Sequence, residues 1–367
     1  MSKRAQLLQQ ADRQGVFYIT GGGSSLISEL LTTAGASKSV LEASVPYATQ
    51  ALHELLGAAP EQACSRATAR ALAMAAFQRA EALSGRRPFG LACTASLATD
   101  RRKRGAHRAH VALQTSTDSC DWHFDFAGSR PQEERALVEG LWQALTTLAK
   151  PGLALPHKPQ EPAAHTSTRG HRNWRAVLTG SAQAAPVRDA LDSPKPGVLL
   201  PGSFNPLHDG HRRMLAMAEE TLGVTGAFEL SIVNVDKPSL DYSSIKERAA
   251  PFSGRSSAGA LWITALPTFI EKARVFPGAA FAVGADTITR IGEPRYYGSV
   301  SNRNKALAEL ASLQTRFLVF GRASESGFQT LQDLRLPRQL RALCEGVDES
   351  AFRSDVSSTA LRAARQQ

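Results

Sequence analysis

Apolar residues in this chain come in short continuous runs, separated by stretches where they recur every three or four positions. Val16-Phe17-Tyr18-Ile19-Thr20 is one such run, and it predicts a buried strand entering the turn Gly21-Gly22-Gly23-Ser24-Ser25. Leu26 to Leu31 then reads as the start of a helix, and Arg66 to Leu83 as a long helix with Ala on most faces. Phe89–Thr94 and His110–Thr115 predict further strands, and the stretch from Pro131 to Lys150 a closing helix. From 151 to 192 the pattern lapses. Pro151, Pro156, Pro159, Pro162 and Pro186 stand among histidines and small polar residues, which predicts an extended linker with a local anchor at Trp174 to Leu178.

From about 193 the alternation resumes. Gly197-Val198-Leu199-Leu200-Pro201-Gly202-Ser203-Phe204 is a buried strand running into a tight turn, and a helix from Gly210 to Leu222 follows. Strands are expected at Phe228–Val235, Leu261–Ala265, Ala279–Gly284 and Arg316–Phe320, with a helix at Pro267–Arg274. Strands alternating with helices imply right-handed crossovers and a parallel sheet covered on both faces. The chain is therefore expected to be α/β with two domains, 1–150 and 193–367, joined by the linker 151–192. Its 367 residues are enough for each half to bury a core.

Charge narrows the ligands. Lys plus Arg number 43 against 33 Asp plus Glu, a net +10 that suits polyanionic partners. The basic residues are scattered, apart from Arg101-Arg102-Lys103-Arg104, and no basic stripe is interleaved with aromatics. Small phosphorylated metabolites thus fit better than a nucleic acid. Cys64, Cys93, Cys120 and Cys344 share no metal-like spacing, and no protein metal site is expected. No apolar run approaches the roughly 20 residues that span a bilayer, and the polar start lacks the core of a secretory signal. No membrane association and a cytoplasmic setting are expected.

The segment Gly202 to His211 carries the chemistry. A strand ends in a small-residue turn that lets a phosphate approach the backbone, and His208 and His211 stand three apart at the start of a helix. Free amides and the helix dipole make such a terminus a phosphate site. Two imidazoles there can donate hydrogen bonds as charge grows on a triphosphate. The bland alternative, a pair of core histidines, fits poorly because neither lies on an apolar helical face.

Ser203-Phe204-Asn205-Pro206-Leu207-His208-Asp209-Gly210-His211, with Gly202 before it, resembles the G-x-F-N-P-x-H-x-G-H signature of the nucleotidyltransferase superfamily, most closely the nicotinate/nicotinamide mononucleotide adenylyltransferases. Asn234 to Pro238, Arg248, Val283-Gly284-Ala285-Asp286-Thr287, Phe320-Gly321-Arg322 and Asp355 to Arg362 resemble later family segments in chain order. The resemblance spans 197 to 364 and implies a Rossmann-like doubly wound parallel sheet. It implies that His208, His211 and Lys237 are catalytic, and that Gly202, Ser203, Phe204 and Asn205 line the nucleotide site. It further implies adenosine-side contacts from Gly284 and Asp286, a strand-end arginine at Arg322, and phosphate contacts from Ser357, Ser358, Thr359 and Arg362. Read alone, Asp355 to Arg362 would be an ordinary capped helix, and Asp286 a cap of the helix that follows it.

The front half, about 15 to 148, resembles the CinA C-terminal domain, the nicotinamide-mononucleotide amidase family, an α/β layer fold. The resemblance rests on the turn after the first strand, on Gly35-Ala36-Ser37, Val45-Pro46-Tyr47 and Leu55-Leu56-Gly57, on Cys64 to Ala69, and on Phe89 to Thr94. It breaks where that family places its serine nucleophile, which falls on glycine in Gly21 to Gly23, and its lysine, which falls at Ala51 or Leu52. Amidase activity is not expected, and a phosphate-binding or oligomerising remnant is the preferred reading.

Together the resemblances imply transfer of AMP from ATP, as co-substrate with Mg²⁺, to nicotinate or nicotinamide mononucleotide in NAD biosynthesis. They also imply a homodimer. Two alternatives stay open: another phosphorylated acceptor such as phosphopantetheine, and a nucleotide sensor without turnover.

Overall fold

The computed structural model describes residues 2–83, 86–100, 105–149, 158, 160–187, 194–233, 238–252, 259–324 and 327–354. The chain divides into two compact units, Met1–His171 with Asp236–Ile245, and Arg172–Val235 with Lys246–Gln367.

In chain order the first unit carries α1 (Lys3–Gln9), β1 (Gly15–Thr20), α2 (Ser25–Leu31), β2 (Val40–Ser44), α3 (Thr49–Leu56), α4 (Arg66–Leu83), β3 (Phe89–Ser96), β4 (His107–Thr115), β5 (Asp118–Phe126), α5 (Arg130–Thr146) and β6 (Ala164–Arg169). Its sheet runs β2-β1-β3-β4-β5-β6, parallel across the first three strands and antiparallel beyond. Because successive side chains alternate between faces, β1 sends Phe17 and Ile19 to one core and Val16 and Tyr18 to another. The first core is closed by α1, α2 and α5 through Leu8, Leu26, Leu137 and Leu141, the second by α3 and α4 through Leu52, Leu72 and Ala76. The alanines of α4 let it lie directly on β3. A Cβ at Gly90 would stand 2.2 Å from the Ala73 carbonyl oxygen, so only glycine fits beneath the helix.

The second unit carries α6 (Arg172–Leu178), β7 (Ala184–Pro186), β8 (Val198–Pro201), α7 (Asp209–Leu222), β9 (Gly226–Ser231), the end of α8 (Tyr242–Ala249), β10 (Leu261–Thr264), α9 (Phe269–Val275), β11 (Ala280–Gly284), α10 (Ala285–Ile291), α11 (Val300–Ser312), β12 (Arg316–Phe320), β13 (Arg322–Ser324), β14 (Gly327–Gln329), α12 (Arg338–Arg341) and β15 (Cys344–Val347). Its large sheet runs β15-β12-β11-β8-β9-β10-β7, and every neighbouring pair is parallel except β10 with β7. From β8 the chain winds outward through β9 to β10, then returns to β11 on the other side of β8. That reversal makes the carboxyl ends of β8 and β11 the switch point, where open α/β sheets hold ligands. The architecture is mixed α/β in two domains, with a doubly wound parallel sheet in the second.

The structure differs from the linker expected over 151–192. Within it, β6 pairs antiparallel with β5, α6 forms a helix around Trp174, and β7 pairs with β10. The reason is physical. Both strands sit at sheet edges and are held by backbone hydrogen bonds, so Ala-His-Thr-Ser-Thr-Arg needs no apolar periodicity to become a strand. Among the described residues no helix is long and apolar enough to cross a membrane.

Candidate functional site

The site is built on the turn between β8 and α7. After Pro201 the chain passes Gly202 and Ser203 to Phe204, whose φ of 45° lies in the left-handed region that side-chain-bearing residues seldom adopt. Packing holds it there. The buried Phe204 ring meets Phe228 at 5.3 Å and Phe252 at 5.8 Å, and a Cβ on Gly202 would fall 2.5 Å from the same ring. Arg248, at the end of α8, donates to the Ser203 carbonyl at 3.3 Å. Strained backbone over-determined by its surroundings is a common property of ligand sites.

His208 caps α7 with extended backbone, and His211 stands in the first turn. Their rings stack with centroids 3.7 Å apart, and the Phe204 ring meets His211 edge-on at 5.3 Å. The His208 amide donates to His211 Nδ1 at 3.3 Å. That bond leaves Nδ1 without a proton and puts the ring hydrogen on Nε2, where it is a donor for a ligand. His208 Nδ1 is buried and makes no hydrogen bond. Gly210 between the two is closely packed: a Cβ there would lie 3.0 Å from the His208 ring and 2.7 Å from Ser354 Oγ, so a side chain would have to displace them.

Burial drives the His211 imidazole down to about 4, and the adjacent His208 ring adds to the effect. Burial also lowers His208, opposed by the attraction of Asp209. Both rings are thus neutral donors at neutral pH. The folded state holds His211 below its unfolded value of about 6.5, so unfolded chains bind more protons between the two. The resulting stabilisation is complete above about pH 6.5 and drains away as pH falls towards about 4. A histidine NMR titration is expected to place the His211 midpoint near pH 4, and to move it upward in His208→Ala. A wild-type midpoint near 6.5 would contradict this electrostatic picture.

Gly284 caps α10 at the carboxyl end of β11, and nothing stands within 4 Å of where its Cβ would be. Asp286 lies in the first turn of α10 and pairs with Arg322 at the start of β13. Both side chains are exposed, so this pair contributes little to stability and is open to exchange for a ligand. Asn205 is exposed in the turn before His208. The structure thus gathers Gly202, Ser203, Phe204, Asn205, His208, His211, Gly284, Asp286 and Arg322 onto the carboxyl edge of one sheet. Lys237, Ser357, Ser358, Thr359 and Arg362 lie outside the described residues, as does Arg101 to Arg104. Sequence reasoning did not foresee the ring of Phe204 against His211, nor Ser354 beside Gly210; neither has a periodic signal.

Residues 199–364 match the family described as cytidylyltransferase-like. The C-terminal region is a nucleotidyltransferase-superfamily domain. Three solved structures are similar to the N-terminal part of the chain. The competence/damage inducible protein CihA from Agrobacterium tumefaciens is 20% identical with a TM-score of 0.33, over 40% of this chain and 96% of its own. A competence or damage-inducible protein from Enterobacter asburiae is 17% identical at 0.33, over 40% and 93%. A competence-damaged protein (CinA) superfamily protein from Escherichia coli is 20% identical at 0.31, over 40% and 85%. No curated protein matches the chain.

Outside the nucleotidyltransferase domain, the turn after β1 is already occupied. Gly21 and Gly23 have φ of 80° and 87°, and the Glu134 carboxylate accepts from the Gly23 amide at 2.7 Å, the Ser25 amide at 3.2 Å and the Ser25 hydroxyl at 3.1 Å. Two amides and one hydroxyl of this turn are therefore engaged by the chain's own carboxylate.

Proposed function

We propose that the nucleotidyltransferase domain transfers AMP from ATP to a pyridine mononucleotide, nicotinate or nicotinamide mononucleotide, and releases pyrophosphate. The observation that carries this reading is the stacked His208–His211 pair at the start of α7, neutral at working pH, with the His211 Nε2 hydrogen left for a ligand. The acceptor phosphate attacks the α-phosphorus, the bond to the bridging oxygen breaks, and its electrons leave with pyrophosphate. No protein nucleophile is needed. The donors at the helix terminus meet charge as it develops on the departing oxygens, and the rigid turn holds the reactants in line.

Among the described residues no cluster of three or more His, Cys, Asp or Glu could hold a metal. Mg²⁺ would travel with the nucleotide phosphates and its own waters, where it would neutralise their charge. Asp286 and Arg322 are assigned to the nucleotide and mononucleotide, Lys237, Ser358 and Arg362 to the triphosphate. A homodimer and a cytoplasmic setting in NAD biosynthesis complete the proposal.

Pyrophosphate release is the test, measured with ATP or CTP and Mg²⁺ against nicotinate mononucleotide, nicotinamide mononucleotide and phosphopantetheine. Release with ATP and one pyridine mononucleotide supports the reading and names the acceptor. Release only with phosphopantetheine or only with CTP rejects the pyridine assignment. ATP binding without release from any acceptor rejects catalysis in favour of a sensor.

A further inference from the structure

Within the second unit, the turn that leaves β15 comes back over the carboxyl edge of the sheet. Val347 at the end of β15 pairs with Phe320 at the end of β12. The Asp348 carbonyl then accepts the amides of Ala351 and Phe352 at 3.1 and 3.0 Å, a tight turn that presents Phe352, Arg353 and Ser354 in succession. The Phe352 ring is 4% exposed and meets the Phe320 ring at 4.9 Å, edge to face. The Arg213 guanidinium of α7 lies over the same Phe352 ring, 5.2 Å from its centroid, and donates to the Arg353 carbonyl at 3.5 Å. Three positions back on the same face of α7, Gly210 makes room for Ser354 Oγ.

The neighbouring Arg353 reaches the β13–β14 hairpin. Its guanidinium lies over the Phe328 ring of β14, 5.6 Å from the centroid, and pairs with Glu349 at 2.7 Å. Phe328 in turn covers Gly321, where a Cβ would stand 2.4 Å from that ring. Phe352 on Phe320 and Arg353 on Phe328 thus fix the chain immediately before Arg322. This matters because β11 runs between β8 and β12, which exchange no ladder hydrogen bonds. At the usual strand spacing the histidine turn and the Arg322 strand end stand about 10 Å apart across the sheet. The segment 352–354 touches both.

We propose that Phe352 is a positioning residue for nucleotidyl transfer: with Arg213 and Arg353 it clasps the helix that carries His208 and His211 to the strand end that carries Arg322. The clasp fixes the separation of the two sides of the nucleotide site. A substrate that spans both sides needs that separation held, since in-line attack tolerates little misplacement.

The role in transfer rests on the proposed function, whereas the clasp itself does not. In the full chain, Phe352→Leu keeps an apolar side chain but gives up the ring that Arg213 and Phe320 meet. It is expected to shift the ring NMR signals of His208 and His211 and the Nε–H signal of Arg322, and to lower kcat for pyrophosphate release about tenfold while KM for ATP changes less than threefold. Arg213→Gln alters only an exposed side chain, so it tests the clasp even where Phe352→Leu fails to fold. It should move the same signals in the same direction, and combining the two should add little further. Arg213→Lys keeps a cation for the ring and should recover most of the signals and the rate. Arg274→Ala, which removes an exposed pair with Glu309, is the control and should leave the signals in place. Unmoved histidine and Arg322 signals in folded Arg213→Gln would overturn the proposal, as would signals that move equally in the control, or moved signals with an unchanged kcat. Should the wild type release no pyrophosphate, the proposed function fails while the signals still decide whether the clasp exists.

Discussion

Replacing His208 and His211 together by alanine is expected to abolish measurable pyrophosphate release, with each single substitution lowering kcat by about 10²- to 10³-fold. Removing one preorganised donor to developing charge costs about 2.7–4 kcal/mol in well-studied oxyanion sites, and each neutral imidazole here can offer one donor. The losses should combine less than additively, because the two rings orient each other through their stack and the His208 amide bond to His211 Nδ1. ATP affinity should fall much less than turnover, since the amides of the α7 terminus remain. His211→Asn is the informative companion, as it spares part of the packing on Phe204 that alanine would empty. Turnover that survives the double substitution would remove the histidines from the chemistry.

The second large effect concerns stability. Lys272 on α9 and Glu229 on β9 form an ion pair at 2.7 Å with 4% and 1% of their side chains exposed, and Thr264 on β10 donates to the same Glu229 oxygen. The other oxygen, Glu229 Oε2, is buried without a partner. Lys272→Met would strand a carboxylate that already lacks one hydrogen bond, at an expected cost of about 3–5 kcal/mol. For a unit of this size that is roughly a 10 °C drop in Tm. The double variant Glu229→Gln/Lys272→Met should regain most of the loss, because glutamine still accepts from Thr264 and no charge stays behind. Calorimetry on the three variants checks this. An unchanged Tm in Lys272→Met would mean that water or a proton reaches Glu229.

Much of the architecture was legible along the chain. The helix read at Arg66 to Leu83 has those same bounds, and the strands read at Arg316–Phe320 and Ala279–Gly284 agree with β12 and β11 to within a residue. Continuous apolar runs at those places are long enough to be buried on both faces, which leaves a parallel strand as the economical solution. Edge strands were not legible. In β2, β6 and β7 the backbone supplies the pairing, and side chains need not be apolar when one flank faces water. The strand β5 was overlooked although Cys120, Trp122, Phe124 and Phe126 alternate with polar residues, a pattern obscured by two aspartates and a histidine.

What the sequence determined by itself is the set of groups at the end of β8: ten consecutive residues contain the close-approach glycine, both imidazoles and the helix start. Local order along the backbone suffices to place them on one turn. Only the tertiary structure decided the rest. It put Asp286 and Arg322, far along the chain, onto the same sheet edge as the histidines, because β11 and β12 lie beside β8 in the sheet. It also filled the glycine turn after β1 with Glu134 from a distant helix, and brought Asp241 to Arg70 across a long stretch of sequence within the first unit. Such pairings depend on which surfaces the folded layers bring face to face. No short-range pattern encodes them.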